Sequence, residues 1–582
     1  MTNSIRILGI EGTAWAASAA LFDAETDDVV IETDAYQPDS GGIHPREASE
    51  HMHDAIPEVV GRVLEHARET HDGSASEPPV DVDERSSSGQ QAAPVDAVAF
   101  SRGPGLGPCL RVVGTAARAL SQALEVPLVG VNHMVAHLEI GRHTSGFDSP
   151  VCLNASGANA HLLAYRNGRY RVLGETMDTG VGNSIDKFTR HVGWSHPGGP
   201  KVEEAAKDGE YVDLPYVVKG MDFSFSGIMS AAKQRYDDGV PVEDVCYSLQ
   251  ENIFGMLTEV SERALSLTGS DELVLGGGVG HNARLREMLA EMCAQRGADF
   301  HAPEPRFLGD NAGMIAVLGA KMYAAGDTLA LEDSRVDPNF RPDQVPVTWR
   351  GRSERSEDPG NASGDTRNRE RGDEPELAAG RGAGSGNSQV RGAEALVDLA
   401  PEAGRVTKRR RAKTYRHPAL DERLRKERTT LEARLTSLAR REGVPTPVLS
   451  NIDPHEAKLE FEYVGERDLQ AALSPDRVRD VGRHLARLHQ AGFVHGDPTT
   501  RNVRVDGDRT YLIDFGLGYH TDHVEDYAMD LHVFDQSLVG TAADPEPLRE
   551  AAREGYREVG DRRVLERLHE VEGRGRYQSD TE

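Results

Sequence analysis

The stretch Ile5-Arg-Ile-Leu-Gly-Ile10, with the turn Glu11-Gly-Thr13 and a strand from Ala14 to Phe22, sets the fold of this chain. Its pattern of strand, small-residue turn and strand returns in Val151-Cys-Leu-Asn-Ala-Ser-Gly-Ala-Asn-Ala160 and the strand from His161 to Tyr165. A pattern that recurs after about 140 residues indicates an internal duplication. We therefore expect a duplicated α/β fold with a cleft between its halves.

A pair of histidines lies between the two copies, in Val131-Asn-His-Met-Val-Ala-His-Leu138. This apolar segment predicts a helix, in which His133 and His137 share one face because they are four residues apart. That spacing is known from helical metal sites. For the pair alone, two histidines that bind no metal are the alternative.

A carboxylate far along the chain favours the interpretation that the two histidines bind a metal. Asp310 lies in Leu308-Gly-Asp-Asn-Ala-Gly-Met-Ile315, where a loop leads into an apolar helix and presents the carboxylate outward. Two histidines and one carboxylate with open positions suit Fe(II), with Zn(II) as the second choice.

Two glycine-rich loops are candidates for anion or nucleotide binding. Ser101-Arg-Gly-Pro-Gly-Leu-Gly-Pro108 precedes a predicted helix from Leu110 to Leu124, which favours an anion at the helix N-terminus or, equally, only a tight turn. Asp271-Glu-Leu-Val-Leu-Gly-Gly-Gly-Val-Gly280 is a strand that runs into glycines before a helix from Asn282 to Cys293. This second loop predicts close approach of the backbone to a nucleotide. Residues 71–94 are rich in Ser, Gly, Pro and acidic residues and are expected to form a surface insertion.

Composition indicates a large, acidic protein. At 582 residues the chain is too long for one core, and its net charge is 66 − 95 = −29 with a mean hydropathy of −0.52. Such a charge normally opposes nucleic-acid binding, but it is also typical of proteins from halophiles. Since the Debye length is about 3 Å in molar salt, the acidic surface does not exclude RNA.

The cysteines and the hydropathy indicate a cytoplasmic location. The four cysteines have no CxxC spacing, which favours a reducing compartment. We find no signal peptide before Ile5 and no apolar run of the ~18 residues that a membrane span needs. We expect no membrane partner.

Several motifs of the first 325 residues resemble the Kae1/TsaD/Qri7 family, which makes the tRNA modification N6-threonylcarbamoyladenosine (t6A). The motifs that carry the resemblance are the histidine pair, Ser184-Ile-Asp-Lys-Phe-Thr-Arg190, Pro197-Gly-Gly-Pro200, Gly276-Gly-Gly-Val279 and Gly309-Asp-Asn311. The resemblance implies an actin/Hsp70-like (ASKHA) duplicated fold, which agrees with the repeat. It also implies transfer of a threonylcarbamoyl group from threonylcarbamoyl-AMP to the N6 atom of the adenosine next to the tRNA anticodon.

The resemblance implies roles for individual residues. His133, His137 and Asp310 would bind the metal, which would polarise the carbamoyl oxygen. The adenylate would be held by the following residues: Asn154, Ala155, Ser156, Gly157, Ala158, Asp186, Gly199, Glu203 and Asn282. The family usually has Tyr where this chain has Asn154, and that Tyr is a metal ligand in archaeal relatives. An Asn154 carbonyl or a water could fill the position.

A second set of motifs follows a polar stretch. Residues 351–388 contain hardly any apolar side chain and are predicted to be a linker. Beyond them, Val494-His-Gly-Asp-Pro-Thr-Thr-Arg-Asn502 reproduces the spacing of the kinase catalytic loop, and Tyr511-Leu-Ile-Asp-Phe-Gly516 supplies the Asp-Phe-Gly motif. Two such motifs in this order, 17 residues apart, predict phosphoryl-transfer chemistry with ATP and Mg²⁺.

Each part of a phosphoryl-transfer site has a candidate. Lys408 is expected to contact the α- and β-phosphates, oriented by Glu432 from a helix. Asn502 and Asp514 are expected to hold Mg²⁺, and Asp497 to orient or deprotonate the nucleophile as the catalytic residue.

The second domain departs from ordinary kinases, since it has no Gly-x-Gly-x-x-Gly loop, no Ala-Pro-Glu and under 200 residues. Its start at Arg391-Gly-Ala-Glu-Ala395, the run Lys413-Thr-Tyr-Arg-His-Pro-Ala-Leu-Asp421 and the ending Arg574-Gly-Arg-Tyr577 resemble the Bud32/PRPK family of atypical kinases. The resemblance implies nucleotide contacts from Gly392, Ala393, Glu394 and Ala395. It also implies ATP hydrolysis or Ser/Thr phosphorylation in support of t6A synthesis, within a KEOPS complex that includes Pcc1 and Cgi121.

We thus expect a bifunctional enzyme of halophilic origin that acts on tRNA. Its transferase domain would span residues 1–326, its linker 327–388, and a small α+β, two-lobed, protein-kinase-like domain 389–582. Seven basic residues between Arg405 and Arg416 are a candidate RNA or phosphate contact or, equally, a solvated strand. A signalling kinase on a nucleotide-binding scaffold is the main rival. A metalloprotease is disfavoured because Asn132 and Met134 flank His133, so no Glu adjoins it.

Overall fold

The structure is a computed structural model that describes residues 5–36, 44–72, 93–166, 168–350, 388–392 and 394–574. The chain forms two units. The first comprises Met1–Trp349, Lys413–Arg423 and Leu568–Glu582, and the second comprises Arg350–Ala412 and Leu424–Arg567. The predicted insertion at 71–94 lies mostly outside the described residues.

The first half of the first unit is a five-stranded sheet covered by helices. Its strand order is β3-β2-β1-β4-β5, in which β1, β2 and β3 are antiparallel while β4 and β5 run parallel to β1. Ile7, Leu8 and Ile10 are all buried, as a central strand covered on both faces requires. The elements are β1 (Arg6–Glu11), β2 (Ala16–Asp23), β3 (Asp28–Ala35), α1 (Pro45–Asp72), β4 (Ala97–Gly103), α2 (Gly107–Leu124), β5 (Leu128–Asn132) and α3 (His133–Ser145).

The second half repeats this sheet. Its order is β12-β11-β6-β7-β8, again an antiparallel set of three followed by two strands parallel to the first of them. The elements are β6 (Val151–Ala155), β7 (Ala160–Arg166), β8 (Arg169–Glu175), α4 (Val181–His191), α5 (Gly199–Ala205), β9 (Val218–Lys219), β10 (Asp222–Phe223), α6 (Ser226–Asp237), α7 (Val242–Thr268), β11 (Glu272–Gly276), α8 (Ala283–Arg296), β12 (Asp299–His301), α9 (Pro305–Leu308) and α10 (Ala312–Ala324). The two identical strand orders confirm the predicted duplication.

Helix α10 brings its N-terminal loop close to the first sheet. An added Cβ at Gly9 of β1 would lie 2.5 Å from the carbonyl oxygen of Ala312, and one at Gly319 would lie 2.4 Å from the Cβ of Ala99. Only glycine allows so close an approach of helix and strands. The loop that carries Asp310 is thereby held next to the carboxyl end of β1.

The predicted helix over residues 131–138 begins later than expected. Val131 and Asn132 complete β5, which pairs with β4, and the helix starts at His133. The Oδ1 atom of Asn132 accepts a hydrogen bond from the backbone N–H of Val135 at 3.1 Å and caps the helix.

The boundary of the transferase domain also differs from the prediction at residue 326. Residues 327–349 belong to the first unit, where the N–H of Leu329 donates to the carbonyl of Leu128 at 2.8 Å. The Nδ2 of Asn132 donates to the carbonyl of Phe340 at 2.8 Å. These residues lack a helical or strand period and looked like linker, yet they cover the first sheet. The rest of the predicted linker lies outside the described residues, apart from Arg350 and Ser388.

A short segment from the predicted kinase domain completes the first unit. Tyr415 is fully buried in the core beside α7. The Nζ of Lys413 lies 2.6 Å from Glu262, and the guanidinium of Arg416 lies 2.5 Å from Glu259. The segment Lys413–Arg423 is therefore a structural part of the first unit.

The second unit has an antiparallel sheet followed by a largely helical part, which is an α+β arrangement. The sheet order is β13-β14-β15-β17-β16. The elements are β13 (Ser388–Arg391), β14 (Ala395–Ala400), β15 (Arg405–Arg410), α11 (Pro418–Arg441), β16 (Leu449–Asp453), β17 (Lys458–Glu462), β18 (Arg467–Asp468), α12 (Pro475–Gln490), β19 (Phe493–Val494), β20 (Val503–Asp506), β21 (Arg509–Leu512), β22 (Tyr519–His520), α13 (Val524–Thr541), α14 (Glu546–Val559) and α15 (Arg562–Arg574). Within the described ranges, every helix is too short or too polar to cross a membrane.

Candidate metal centre and nucleotide site

The two predicted histidines and Asp310 meet in the first unit. His133 and His137 lie on the first turns of α3, and Asp310 lies between α9 and α10. The Oδ1 of Asp310 is 3.3 Å from the Nε2 of His133 and 3.4 Å from the Nε2 of His137. One ligand atom from each of the three residues lies within 4.8 Å of the others.

These distances fit a bound metal ion. With metal–ligand bonds of about 2.1 Å, neighbouring ligand atoms are separated by roughly 3.0 Å in octahedral and 3.4 Å in tetrahedral geometry. Two imidazoles and a carboxylate form a three-ligand set that leaves further positions for substrate or water. The three residues therefore form a possible site for a divalent metal ion.

A buried carboxylate that the sequence did not single out supports His133. The Oε2 of Glu11 lies 3.2 Å from the Nδ1 of His133, and its Oε1 accepts the backbone N–H of Thr13 at 2.8 Å. Such an acceptor fixes the tautomer of a histidine whose other nitrogen binds a metal. The turn Glu11-Gly-Thr13 was noticed for its glycine, but the use of its acid depends on contacts that only the fold creates.

The pKa values of the three cluster residues are set by their burial and by the charges around them. Burial opposes the charged form of His133, but Glu11 and Asp310 outweigh it and raise the pKa of His133 to about 10. Burial lowers the pKa of His137. Burial alone would raise the pKa of Asp310, but the two histidines hold it far below its usual value. The cluster thus carries an ionised carboxylate at neutral pH.

The small-residue turn after β6 packs against the start of α4. Residues 154–158 comprise the end of β6, with Asn154 and Ala155, and the turn of Ser156, Gly157 and Ala158. The carbonyl of Gly157 accepts the N–H of Asn183 at 2.9 Å, and a Cβ at Gly182 would lie 2.7 Å from the Cα of Gly157. Small residues are required here because two backbones touch.

The other predicted adenylate residues form two pairs. Asp186 accepts the N–H of Gly198 at 2.8 Å, which places it beside Gly199 at the start of α5. Glu203 accepts the N–H of Ala283 at 2.8 Å, beside Asn282, whose side chain caps α8. The structure therefore brings Asp186 to Gly199 and Glu203 to Asn282.

In the second unit, three predicted residues converge. Lys408 on β15 lies 2.8 Å from Glu432 on α11 and 2.6 Å from Asp514. Burial opposes the charge on Lys408, but Asp514 and Glu432 outweigh it and raise its pKa. Asp514 has a φ of 67°, a left-handed conformation that is costly for a non-glycine residue and marks functional positions.

The predicted catalytic loop is closed by its own asparagine. The Nδ2 of Asn502 donates to the carbonyl of Asp497 at 2.8 Å and to its Oδ2 at 3.1 Å. Asp530, buried on α13, accepts the backbone N–H groups of His495 at 2.9 Å and Gly496 at 2.8 Å. Asp530 was not predicted, since nothing in its local sequence marks it.

A buried arginine extends the ion-pair network toward the predicted nucleotide loop. Arg410 lies 2.7 Å from Glu432 and 2.6 Å from Glu394, which also lies 2.9 Å from Arg428. Gly392 and Ala395 flank Glu394, while the predicted contact Ala393 lies outside the described residues.

The basic run between Arg405 and Arg416 is only partly exposed. Lys408, Arg410, Lys413 and Arg416 are buried and paired with carboxylates. Arg405 and Arg409 are exposed. Apart from the nucleotide contact predicted for Lys408, an RNA or phosphate contact from this run would therefore depend on the exposed members.

Comparison with known proteins gives a consistent set of relatives. Residues 85–317 match the family profile described as TsaD, tRNA N6-adenosine threonylcarbamoyltransferase. A protein of Haloarcula marismortui named "Probable bifunctional tRNA threonylcarbamoyladenosine biosynthesis protein" is 65% identical over 99% of this chain and 100% of its own length. Proteins with the same name from Halobacterium salinarum and Methanospirillum hungatei are 64% and 48% identical, over 99% and 98% of this chain and 100% and 99% of their own lengths.

Solved structures resemble the chain only weakly. Full-length HypF, in its phosphate- and nucleotide-bound form, aligns with 56% of this chain and 56% of its own at 12% identity and a TM-score of 0.37. That score is too low to support an inference.

Proposed function

The chain belongs to the family of bifunctional tRNA threonylcarbamoyladenosine biosynthesis proteins, and we propose how its two units divide the work of t6A synthesis. The protein is an enzyme with transferase activity. We assign the transfer of the threonylcarbamoyl group to the first unit and ATP turnover to the second. The convergence of His133, His137 and Asp310 carries the first assignment.

In the first unit, the protein residues hold the reactants and bind the ion. His133, His137 and Asp310 would hold Fe(II) or Zn(II), which supplies Lewis-acid polarisation of a carbonyl oxygen when bound. Glu11 fixes His133 through its Nδ1. The N6 of adenosine attacks the carbamoyl carbon of threonylcarbamoyl-AMP, the new C–N bond forms, AMP leaves with the electron pair of the broken C–O bond, and one proton of the N6 amino group is released to solvent.

The adenylate would lie along the turns that adjoin this centre. Backbone N–H groups of Gly157 and Ala158 can approach a phosphate because the side chains of this turn are small, whereas the N–H of Ser156 already donates to the carbonyl of Asn159 at 2.8 Å. Asp186 and Glu203 are acids that can accept hydrogen bonds from ribose hydroxyls. Gly199 and Asn282 lie beside these two acids, so all four residues would serve one nucleotide.

The second unit has the parts of an atypical Ser/Thr kinase or ATPase. We assign the phosphate contact to Lys408, the binding of Mg²⁺ to Asn502 and Asp514, and the orientation of the attacking oxygen to Asp497. Glu432 holds Lys408 in place at 2.8 Å. Gly392, Glu394 and Ala395 would line the nucleotide, with Arg410 and Arg428 restraining Glu394.

The proposal extends to partners. A tRNA substrate places the reaction in the cytoplasm, and we propose that the chain works in a KEOPS complex with Pcc1 and Cgi121. A separate enzyme must make the adenylate from threonine, bicarbonate and ATP.

Nucleoside mass spectrometry of tRNA tests the assignment. Cells whose only copy carries His133→Ala/His137→Ala should lose t6A, whereas His143→Ala, a half-buried histidine of the same helix that pairs with Asp27 instead of the metal cluster, should retain it. An Asp497→Ala strain reports whether ATP turnover is required. Unchanged t6A in the double variant would contradict the proposal and favour a signalling kinase on a nucleotide-binding scaffold.

A further inference from the structure

Three residues lie side by side at the carboxyl edge of the second sheet. Asn154 on β6 is in register with His161 on β7 and with Gly276 on β11. Residues in register on neighbouring strands direct their side chains to the same face of the sheet. A Cβ at Gly276 would lie 3.6 Å from both the Nδ1 of His137 and the Oδ1 of Asn154. His137 and Asn154 therefore border the same small space, which glycine leaves open.

This space is surrounded by buried polar atoms without partners. Within the described residues, the Nδ1 of His137, the Oδ1 of Asn154 and both ring nitrogens of His161 have no hydrogen-bond partner. His137, Asn154 and His161 have exposed fractions of 1%, 4% and 2%. Native proteins rarely leave buried polar atoms unsatisfied, and here they are concentrated beside the metal cluster.

The way in which His137 would bind a metal indicates a role for the unpartnered buried atoms. Its Nε2 faces Asp310, so a metal bound there leaves the remaining ring proton on Nδ1. A histidine that binds a metal almost always donates this second N–H to an acceptor. His133 has Glu11 for this purpose, whereas the Nδ1 of His137 borders the same small space as the amide oxygen of Asn154.

His161 can supply the second hydrogen bond to the same oxygen. The ring of His161 is 2% exposed, and in its neutral form it carries one N–H that it can donate. An amide oxygen has two lone pairs and can accept from both histidines. His161 is not a member of the cluster whose ligand atoms lie within 4.8 Å of one another.

We propose that Asn154 and His161 are the outer layer of the metal centre: the unsatisfied Oδ1 of Asn154 is the acceptor to which the Nδ1 of His137 and a ring nitrogen of His161 would donate, after small side-chain rotations, when His137 holds an ion, and it would thereby orient His137. This inference rests on the metal centre of the proposed function. It makes Asn154 a positioning residue, in contrast to the expectation that it is a metal ligand. Asn154 and His161 would thus hold the ring of His137 in its orientation, as Glu11 holds the ring of His133.

The test is metal binding by the full chain. Affinity for Zn²⁺ is measured by competition with a chromophoric chelator, and the ligand set is monitored by the visible absorption of Co²⁺. Asn154→Leu, which has no acceptor, should weaken Zn²⁺ binding about 10- to 100-fold, whereas Asn154→Asp keeps an acceptor and should restore most of the affinity. His161→Leu should weaken binding about fivefold. In each variant that retains metal, the Co²⁺ spectrum should keep the wild-type form because the ligands are unchanged.

Asn252→Leu is the matched control, since Asn252 is a buried asparagine of α7 whose Oδ1 also lacks a partner. It should not change metal affinity. If wild-type protein binds no metal, the proposed centre itself is wrong. If wild type binds but Asn154→Leu and His161→Leu bind equally well, only the outer layer is overturned. A changed Co²⁺ spectrum in Asn154→Leu would also overturn it, by showing that Asn154 is a ligand.

Discussion

The metal cluster of the first unit and the Lys408 site of the second unit use carboxylates in opposite ways. Asp310 faces two imidazoles at 3.3 and 3.4 Å, and no lysine or arginine is among the charges that shift its pKa. Asp514 lies 2.6 Å from the ammonium of Lys408. Asp310 faces imidazole groups that can lose their protons to a metal ion, whereas Asp514 faces a lysine that has no lone pair to offer while it is charged.

The difference shows how each site would treat a metal ion. The first cluster is a set of ligands that has no cation other than protons, and a bound metal ion would replace those protons on the histidines. In the second, Asp514 is already paired with Lys408, so if the site binds Mg²⁺ and a nucleotide as proposed, Asp514 would have to separate from Lys408, which would then pair with the phosphates. We therefore expect charge removal to abolish binding in the first site and to reduce stability in the second.

The largest effect is expected from Asp310→Asn, which keeps the shape of the side chain and removes its charge. Metal content should fall to background and threonylcarbamoyl transfer should drop about 10³-fold or more, since several kcal/mol of charge stabilisation are lost. Elemental analysis and a transfer assay with unmodified tRNA measure the two effects. Asp27→Asn, at an exposed position of the same unit, is the control and should be unaffected.

Glu432→Gln should act on stability in the second unit. Glu432 is 1% exposed and paired with both Lys408 and Arg410, so its removal leaves buried cations without their shared partner. Breaking a buried pair in this way costs about 3–5 kcal/mol. Denaturant unfolding followed by a probe in this unit, together with ATPase activity, should show both losses. Exposed Glu427→Gln on the same helix should stay within about 0.5 kcal/mol of wild type.

A smaller effect should follow from Glu11→Gln, which weakens the acceptor of His133 without touching a ligand. Loss of such an outer carboxylate typically lowers metal affinity about 10- to 100-fold. Zn²⁺ competition should detect the change, with exposed Glu25→Gln as the control. An affinity equal to wild type would mean that His133 does not depend on Glu11 for its orientation.

The smallest effect concerns Asp222, an acid of the first unit that has neither metal partner nor cation among its influences. Burial, with the nearby Glu175, raises its pKa to about 7. The stability linked to its protonation is fully present below pH ~4 and is lost as pH rises through 7. Asp222→Asn should therefore be more stable than wild type at pH 8, and nearly equal to it at pH 4. Urea unfolding at the two pH values checks this, and an equal difference at both would contradict it.

The sequence was a good guide wherever the relevant spacing is short. His137 follows His133 by four positions and Asn502 follows Asp497 by five, and these separations, like the glycine-rich ends of strands, determine local geometry almost alone. The duplication could be predicted because both copies start with the same strand and turn.

The sequence was a poor guide to residues whose role depends on distant partners. Glu11, Asp530 and Arg410 stand in ordinary local sequence and become important only when folding brings His133, the loop at His495 and Glu432 to them. Residues 327–349 were taken for linker because irregular backbone has no hydrophobic period, although they pack on the first sheet.

The placement of Lys413–Arg423 in the first unit has a consequence for how this protein can be divided. A truncated chain that ends at Trp349 would keep Glu259 and Glu262 on α7 but lose the cations of Arg416 and Lys413, and it would lose Tyr415 from the core. The polar stretch that suggests a domain boundary begins just after Trp349, but the first unit also needs the chain as far as Arg423. The two boundaries therefore differ by about seventy residues. If the gene were divided within residues 351–388, the N-terminal product would lack Lys413–Arg423. It could complete its core only by binding the C-terminal product.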